Sequence, residues 1–312
     1  MNYSLSGMPK SGLFLLLTAL ICTTVQAQVV EHRPDPRQLF ERMRLATMLY
    51  SYSGSLTYEH DGQLSSFSIS SATANDLWTQ NISALNGPER SYARQVNPCS
   101  LGSLDQLREQ IGQDVDELTP YYNFQARDEF RIAGREAQEI LVMPVDQFRY
   151  GYNFAVDKDT GLMLQSMTMD SSRKILERFQ FIEVEDPPSL EAFGALLASC
   201  SEPSEVVFDA QEVPWRLGWV PAGFERLVSR TAEGRVELVY SDGLAALSIF
   251  IVAVDQLRFP PANTNTGATS LMLNYYDVLG NIYSVTLVGE VPLATLHRIA
   301  SELDYEEAAD AR

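Results

Sequence analysis

The chain has 312 residues, with 23 Lys and Arg against 41 Asp and Glu, a net charge of −18, and 45% hydrophobic residues. So acidic a balance excludes nucleic acid and anionic membrane surfaces as general partners, because both repel a negative protein. It does not choose a function.

Residues 1–27 read as an export signal. Lys10 and the amino terminus supply a thin charged end, residues 12–22 an apolar run too short to span a bilayer, and Val25-Gln26-Ala27 a small-residue cleavage site. A lipid anchor at Cys22 is the alternative, but Ile21 stands where such signals carry a small residue. No second apolar run is long enough to cross a membrane, so the expectation is a soluble protein beyond the inner membrane, in an oxidising compartment. Losing Lys10 with the leader takes the net charge from −18 to −19. Cys22 leaves as well, and Cys99 and Cys200 remain as an even pair. Bridged, they close a loop of about 100 residues and contribute roughly 4–5 kcal/mol in the chain-entropy model; the alternative is two buried thiols.

What remains is too long for one typical core and fits two domains, at 28–200 and 214–306. The boundary falls in the Pro-, Ser- and acid-rich stretch from Glu185 to Pro214, with 201–213 as the linker proper. The first domain opens with Asp35-Pro36, a helix cap followed by Pro at the first helical position. Leu39, Phe40, Met43, Ala46, Thr47 and Tyr50 then recur at helical spacing. Strands follow at 53–60 and 64–71 around Asp61-Gly62, at 76–85 and 90–97 across Asn86-Gly87-Pro88, and at 122–131 and 135–144 across Ala133-Gly134. A three-strand meander ends the domain at 149–156, 162–169 and 175–182, its turns marked by Gly161 and by Asp170-Ser171-Ser172-Arg173. About nine antiparallel strands must curl, because twist accumulates from strand to strand. Helices at 36–50 and around 103–111 are expected to cover the concave face. The candidate lining of that half-open barrel is Phe154, Leu162, Leu164, Met167, Phe179 and Phe181, although a register slip of one residue exchanges the whole set. Met163, Met167 and Met169 read as core or as an adaptable wall for an acyl chain.

The second domain begins at Trp215, with hairpins at 236–240 and 245–254 and at 270–276 and 282–289, and a closing helix at 292–303. Residues 259–269, polar and proline-bearing, read as a mobile loop. The fold class is therefore α+β, mostly antiparallel β: a large curled sheet plus a smaller α+β domain.

A search for chemistry finds no reaction. His32, His60 and His297 lie on separate elements with no Cys or carboxylate at metal spacing, Asp157 and Asp159 belong to a hairpin turn, and Ser241-Asp242-Gly243 lacks the strand–elbow–helix setting of a hydrolase serine. No cofactor or metal is expected. For binding, Arg131, Arg135, Arg149 and Arg178 either pair with strand carboxylates or hold a peptide's acidic groups. Trp215, Trp219 and Phe224 are either anchors for a peptide or packing at the domain junction.

Several collinear motifs carry a resemblance: Arg131-Ile132-Ala133-Gly134-Arg135, Asp146-Gln147-Phe148-Arg149-Tyr150-Gly151-Tyr152, Asp159-Thr160-Gly161-Leu162, Leu176-Glu177-Arg178-Phe179-Gln180-Phe181, Pro221-Ala222-Gly223-Phe224, Tyr240-Ser241-Asp242-Gly243-Leu244-Ala245 and Val288-Gly289-Glu290-Val291-Pro292. Across nearly the whole mature chain these resemble the MucB/RseB family of periplasmic regulators of the sigma-E (AlgU) envelope stress response. The resemblance implies an N-terminal domain with the unclosed barrel of the lipoprotein carriers LolA and LolB, and no enzymatic activity. It implies binding to the periplasmic segment of a membrane anti-sigma factor (RseA/MucA). It also implies shielding of that segment from the site-1 protease until acyl chains of mislocalised lipoprotein or lipopolysaccharide loosen the complex. A homodimer is left open, and the alternative is a periplasmic lipoprotein or lipid carrier.

Overall fold

The structure, a computed structural model, describes residues 34–74, 77–96, 112–189, 191 and 211–306. The export signal, His32, the helix expected at 103–111, Cys99, Cys200 and linker residues 201–210 lie outside the described residues. Helix α1 (Pro36–Leu49) forms where its cap predicts: the Asp35 carboxylate accepts the Arg37 amide at 3.0 Å and Pro36 takes a position needing no amide partner. Its buried face is Leu39, Phe40, Met43, Ala46 and Leu49, and each large side chain so removed from water contributes about 1.5–3 kcal/mol.

Strands β1 (Ser51–His60), β2 (Gln63–Ala74), β3 (Leu77–Ala84) and β4 (Ser91–Val96) run outward from α1. After a helical segment α2 (residues 112–118), the chain returns through β5 (Tyr122–Ile132), β6 (Arg135–Pro144), β7 (Gly151–Asp157), β8 (Met163–Met169) and β9 (Ile175–Ser189). The sheet order is β4-β3-β2-β1-β9-β8-β7-β6-β5, antiparallel throughout, so among the described residues β4 and β5 are its edges and the sheet is unclosed. Register shifts in the β1/β9, β5/β6, β7/β8 and β8/β9 pairs supply the bends that curl it. Gly54 sits at one of them, where an added Cβ would lie 2.2 Å from the Glu183 carbonyl oxygen; only glycine lets β1 and β9 approach there.

Two boundaries differ from expectation. Strand β9 continues through Pro187 and Pro188, because they fall where its pairing with β1 is already irregular and no regular ladder amide is demanded of them. Gln211 and Val213, assigned to the linker, are instead held against the second domain: the Gln211 amide donates to the Ser229 carbonyl at 2.5 Å and Val213 joins the core.

Strands β10 (Trp215–Leu217), β11 (Glu225–Ala232), β12 (Arg235–Ser241), β13 (Ala246–Val254), β14 (Ala262–Thr266), β15 (Thr269–Val278) and β16 (Asn281–Gly289) follow, then α3 (Leu293–Ser301) and β17 (Leu303–Tyr305). Six of the strands form one sheet, β11-β12-β13-β16-β15-β14, and β10 pairs with β17. Leu238, Ile249, Ile251, Val285 and Leu287 from the sheet pack with Leu296 and Ile299 of α3 around Trp215. Strand β14 corrects the expected mobile loop. Its Asn and Thr residues pair with β15 as an edge strand, beginning just after Pro260-Pro261, where missing amides cost least. Leu303 starts β17 instead of ending the helix.

Candidate functional site

The two sheets meet at a junction built around Arg149. Its side chain is fully buried, as is that of Asp242 in the turn between β12 and β13. Arg149 Nη1 donates to Asp242 Oδ2 at 2.8 Å and Nη2 to the Ala222 carbonyl at 2.5 Å, while Asp146 accepts from the same guanidinium. Rings of Tyr121, Tyr122 and Phe224 stand 5.1–5.4 Å from the guanidinium carbon. The Tyr122 hydroxyl donates to Asp242 Oδ2 at 2.8 Å, and Asp242 Oδ1 takes the Leu244 and Ala245 amides. Burial, then the nearby Tyr152 and Asp242, push the Tyr122 phenol far above its usual range, so it remains a neutral donor. Leu244, from the same turn, packs on the core formed by Phe40, Tyr122, Val142 and Phe154. One turn of the second sheet thus plugs the first with both a charge and an aliphatic side chain.

Two further contacts flank the plug. On one side, Thr295 Oγ1 of α3 donates to the Phe148 carbonyl at 2.8 Å, Phe148 meets Trp219 edge-on at 4.9 Å, and Arg298 lies over Trp219 at 3.8 Å. On the other, the turn between β14 and β15 docks on the first sheet: the Gly267 amide donates to Asp61 Oδ2 at 2.9 Å and the Ala268 amide to Glu177 Oε2 at 3.4 Å. Glu177 also takes the Tyr58 hydroxyl at 2.8 Å. A cleft of about 560 Å³ opens beside the plug, lined by Asp114, Glu117 and Tyr121 from the first sheet's side and by Gly223, Glu225 and Asp242 from the second.

The predicted residues divide clearly. Trp215 is a core residue, 2% exposed and ringed by Tyr276, Tyr283 and Tyr305, whereas Trp219 and Phe224 stand at the junction. All four arginines pair: Arg131 with Glu136, Arg135 with Asp157, Arg178 with Glu59, and Arg149 across to Asp242. Asp157 also accepts the Asp159 and Thr160 amides, as turn chemistry requires.

Of the barrel lining, Phe154 faces Ser166, Ser166 faces Phe179, and Phe179 faces Tyr58 across β7, β8, β9 and β1. Phe179 and Phe181 meet edge to face at 5.4 Å, and Phe40 of α1 lies 5.7 Å from Phe154, so the helix covers this face. Leu162, Leu164 and Phe181 are buried together with Leu56 and Ile69. Met167 is the exception. It pairs with Asn153 and Arg178, which places it on the opposite face, the one-residue alternation that register decides. Asp242 and Asp61, read only as turn residues, and Glu177, read only as a strand residue, are the carboxylates that join the sheets: acidic residues at such places are ordinary, and no local signal separates these from the rest. Among the described residues no group of His, Cys, Asp and Glu is arranged to hold a metal ion.

The MucB/RseB N-terminal domain matches residues 35–194 and the MucB/RseB C-terminal domain residues 209–304. The chain belongs to the MucB/RseB family. It is 30% identical to the sigma factor AlgU regulatory protein MucB of Pseudomonas aeruginosa over 97% of this chain and 99% of that one. It is 25% identical to the sigma-E factor regulatory protein RseB of Escherichia coli over 88% and 92%. The fold superposes on MucB in the Pseudomonas aeruginosa MucA/MucB complex with a TM-score of 0.68 at 29% identity, covering 88% of this chain and all of that one. On a crystal structure of MucB the TM-score is 0.60 at 26% identity, covering 87% and 98%. The junction therefore lies between the two domains that define the MucB/RseB family.

Proposed function

We propose that this chain is a periplasmic sigma-E regulatory protein that binds the periplasmic segment of a membrane-bound anti-sigma factor, shields it from the first protease, and releases it when acyl chains occupy the N-terminal domain. The observation that carries the reading is family membership over both domains, together with the fold shared with the MucB bound to MucA. The acyl chain of a mislocalised lipoprotein or lipopolysaccharide enters the α1-covered face of the unclosed sheet, against Phe154, Phe179 and Phe181. Those side chains already pack together, so a lipid must displace α1 or neighbouring segments, and that displacement is the physical origin of the signal. The C-terminal domain grips the partner beside Trp219, which remains partly exposed at the junction. The chain acts by binding and not by catalysis.

The test is retention of the purified mature protein on the immobilised anti-sigma segment, with and without an acylated peptide. Retention that falls as the acylated peptide rises supports the switch, and by linkage the segment weakens lipid binding by the same factor. Retention indifferent to acyl chains reduces the protein to a simple binder, and no retention favours a lipid carrier. Trp219→Ala is expected to weaken retention and, through the lost Phe148 and Arg298 contacts, to lower the melting temperature less than Trp215→Ala, which opens the C-terminal core.

A further inference from the structure

The two large sheets have four edges among the described residues, and three of them carry features that discourage another strand from pairing. Strand β5 is broken by a register shift and bears Arg127, Asp128, Glu129 and Arg131. Strand β4 carries Arg94, just after Glu89 and Arg90. Strand β11 is shifted at Arg226–Val228, and its outer side already bonds Gln211, whose side-chain oxygen accepts the Thr231 amide at 3.1 Å. Strand β14 has none of these features and no described strand on its outer side. It pairs with β15 in unbroken register from Ala262 to Thr266, and all five of its residues are exposed. Residues 259–276 contain no charged side chain, in a chain that is 21% charged. The edge is also fixed in place, because the turn that follows it is anchored: the Gly267 amide donates to Asp61, Ala268 is 1% exposed and Ser270 is buried. A strand added to such a ready-formed edge meets little ordering cost on this side.

The two faces of β14 define what the added strand must carry. Ala262 and Thr264 stand opposite Leu273 and Leu271, on the side turned away from the core. There Phe259 is 68% exposed and lines a cleft of about 510 Å³ with Val252, Leu273 and Tyr275. Asn263 lies on the other side, its amide nitrogen 3.5 Å from Nε2 of His297 on α3. A basic segment would find no carboxylate within residues 259–276, and an acidic one would meet the repulsion of a chain at −18. We propose that the free edge of β14 is a docking site for an extended, uncharged segment of another protein, in which β-branched apolar residues alternate with Ser, Thr or Asn. The segment adds as a further strand to the six-stranded sheet. Its apolar row continues the face of Leu271 and Phe259, and its polar row that of Asn263 and Asn265. The surface is distinct from the Arg149 junction, and the inference stands whether or not the anti-sigma reading holds.

Hydrogen exchange on the full mature chain tests it, with a capped peptide of alternating valine and threonine as the probe. At saturation the peptide is expected to slow exchange at residues 262–266 by about tenfold and to leave the other edges, 91–96 and 225–232, unchanged. A copy with aspartate at the threonine positions, and a fully N-methylated copy that has no amide to donate, are expected to slow nothing. Thr264→Lys puts a charge on the exposed edge and is expected to abolish the effect while leaving the melting temperature as it was. Unchanged exchange at 262–266 with the valine–threonine peptide overturns the proposal, as does equal slowing at another edge. Equal slowing by the N-methylated copy overturns it too, because the contact would then not be strand pairing. So does exchange at 262–266 that slows with protein concentration alone, since a second copy of the chain would then fill the edge.

Discussion

Arg149 is the residue on which most of the junction depends. A fully buried ion pair is costly to form, but removing one partner is costlier, because it leaves an uncompensated charge away from water. Arg149→Met is therefore expected to lose about 3–5 kcal/mol in urea unfolding, and Arg149→Met with Asp242→Asn to recover part of that loss. A single-variant loss below about 1 kcal/mol would show that solvent reaches the pair. Asp157 offers a second reading at this scale. Burial works against its charge, yet the Arg135 guanidinium and the Thr160 amide overcome that and hold its carboxyl below the usual range. A depressed carboxylate stabilises the fold above its unfolded value and loses that contribution as pH falls through the folded one. The melting-temperature gap between the native chain and Asp157→Asn should hold constant from about pH 7 to 5 and narrow below about pH 4. A gap that widens in acid would reverse the sign and remove the ion pair as its cause.

The elements follow their local signals closely where a turn or cap dictates them. Asp35-Pro36 starts α1, and Asp61-Gly62 and Ala133-Gly134 place consecutive positive-φ residues in the hairpin turns they were expected to form. Strands went astray where pairing, and not pattern, decides. Strand β11 was not anticipated, β14 read as a mobile loop, and β9 outran its prolines, each because the partner strand supplies the reason to be extended. The β1/β9 pair shows how tight such pairing is. Gly54→Ala would push a methyl into the Glu183 carbonyl and should cost about 1–3 kcal/mol in chemical denaturation; an unchanged midpoint would mean the bulge relaxes freely.

At the scale of the whole molecule, the cores are separate and the junction joins them. Trp215 and α3 organise one, and α1 over β5, β6 and β7 another. With the Arg149–Asp242 pair intact, calorimetry should show one cooperative transition, since Leu244 and Asp242 make each domain part of the other's packing. In Arg149→Met the transition should split into two, and a variant that still melts as one unit would locate the coupling elsewhere.

The sequence alone determined the antiparallel class, the two-part organisation and the family, since periodicity, caps and turn residues act within a few positions and collinear motifs survive divergence. Only the tertiary structure decided that Met167 faces away from Phe154, that Trp215 is core while Trp219 is not, and that a commonplace turn carries the junction's charge. Arg149 and Asp242 lie 93 residues apart. Which of many acidic turns meets that arginine depends on how two sheets pack, and no stretch of chain records it locally.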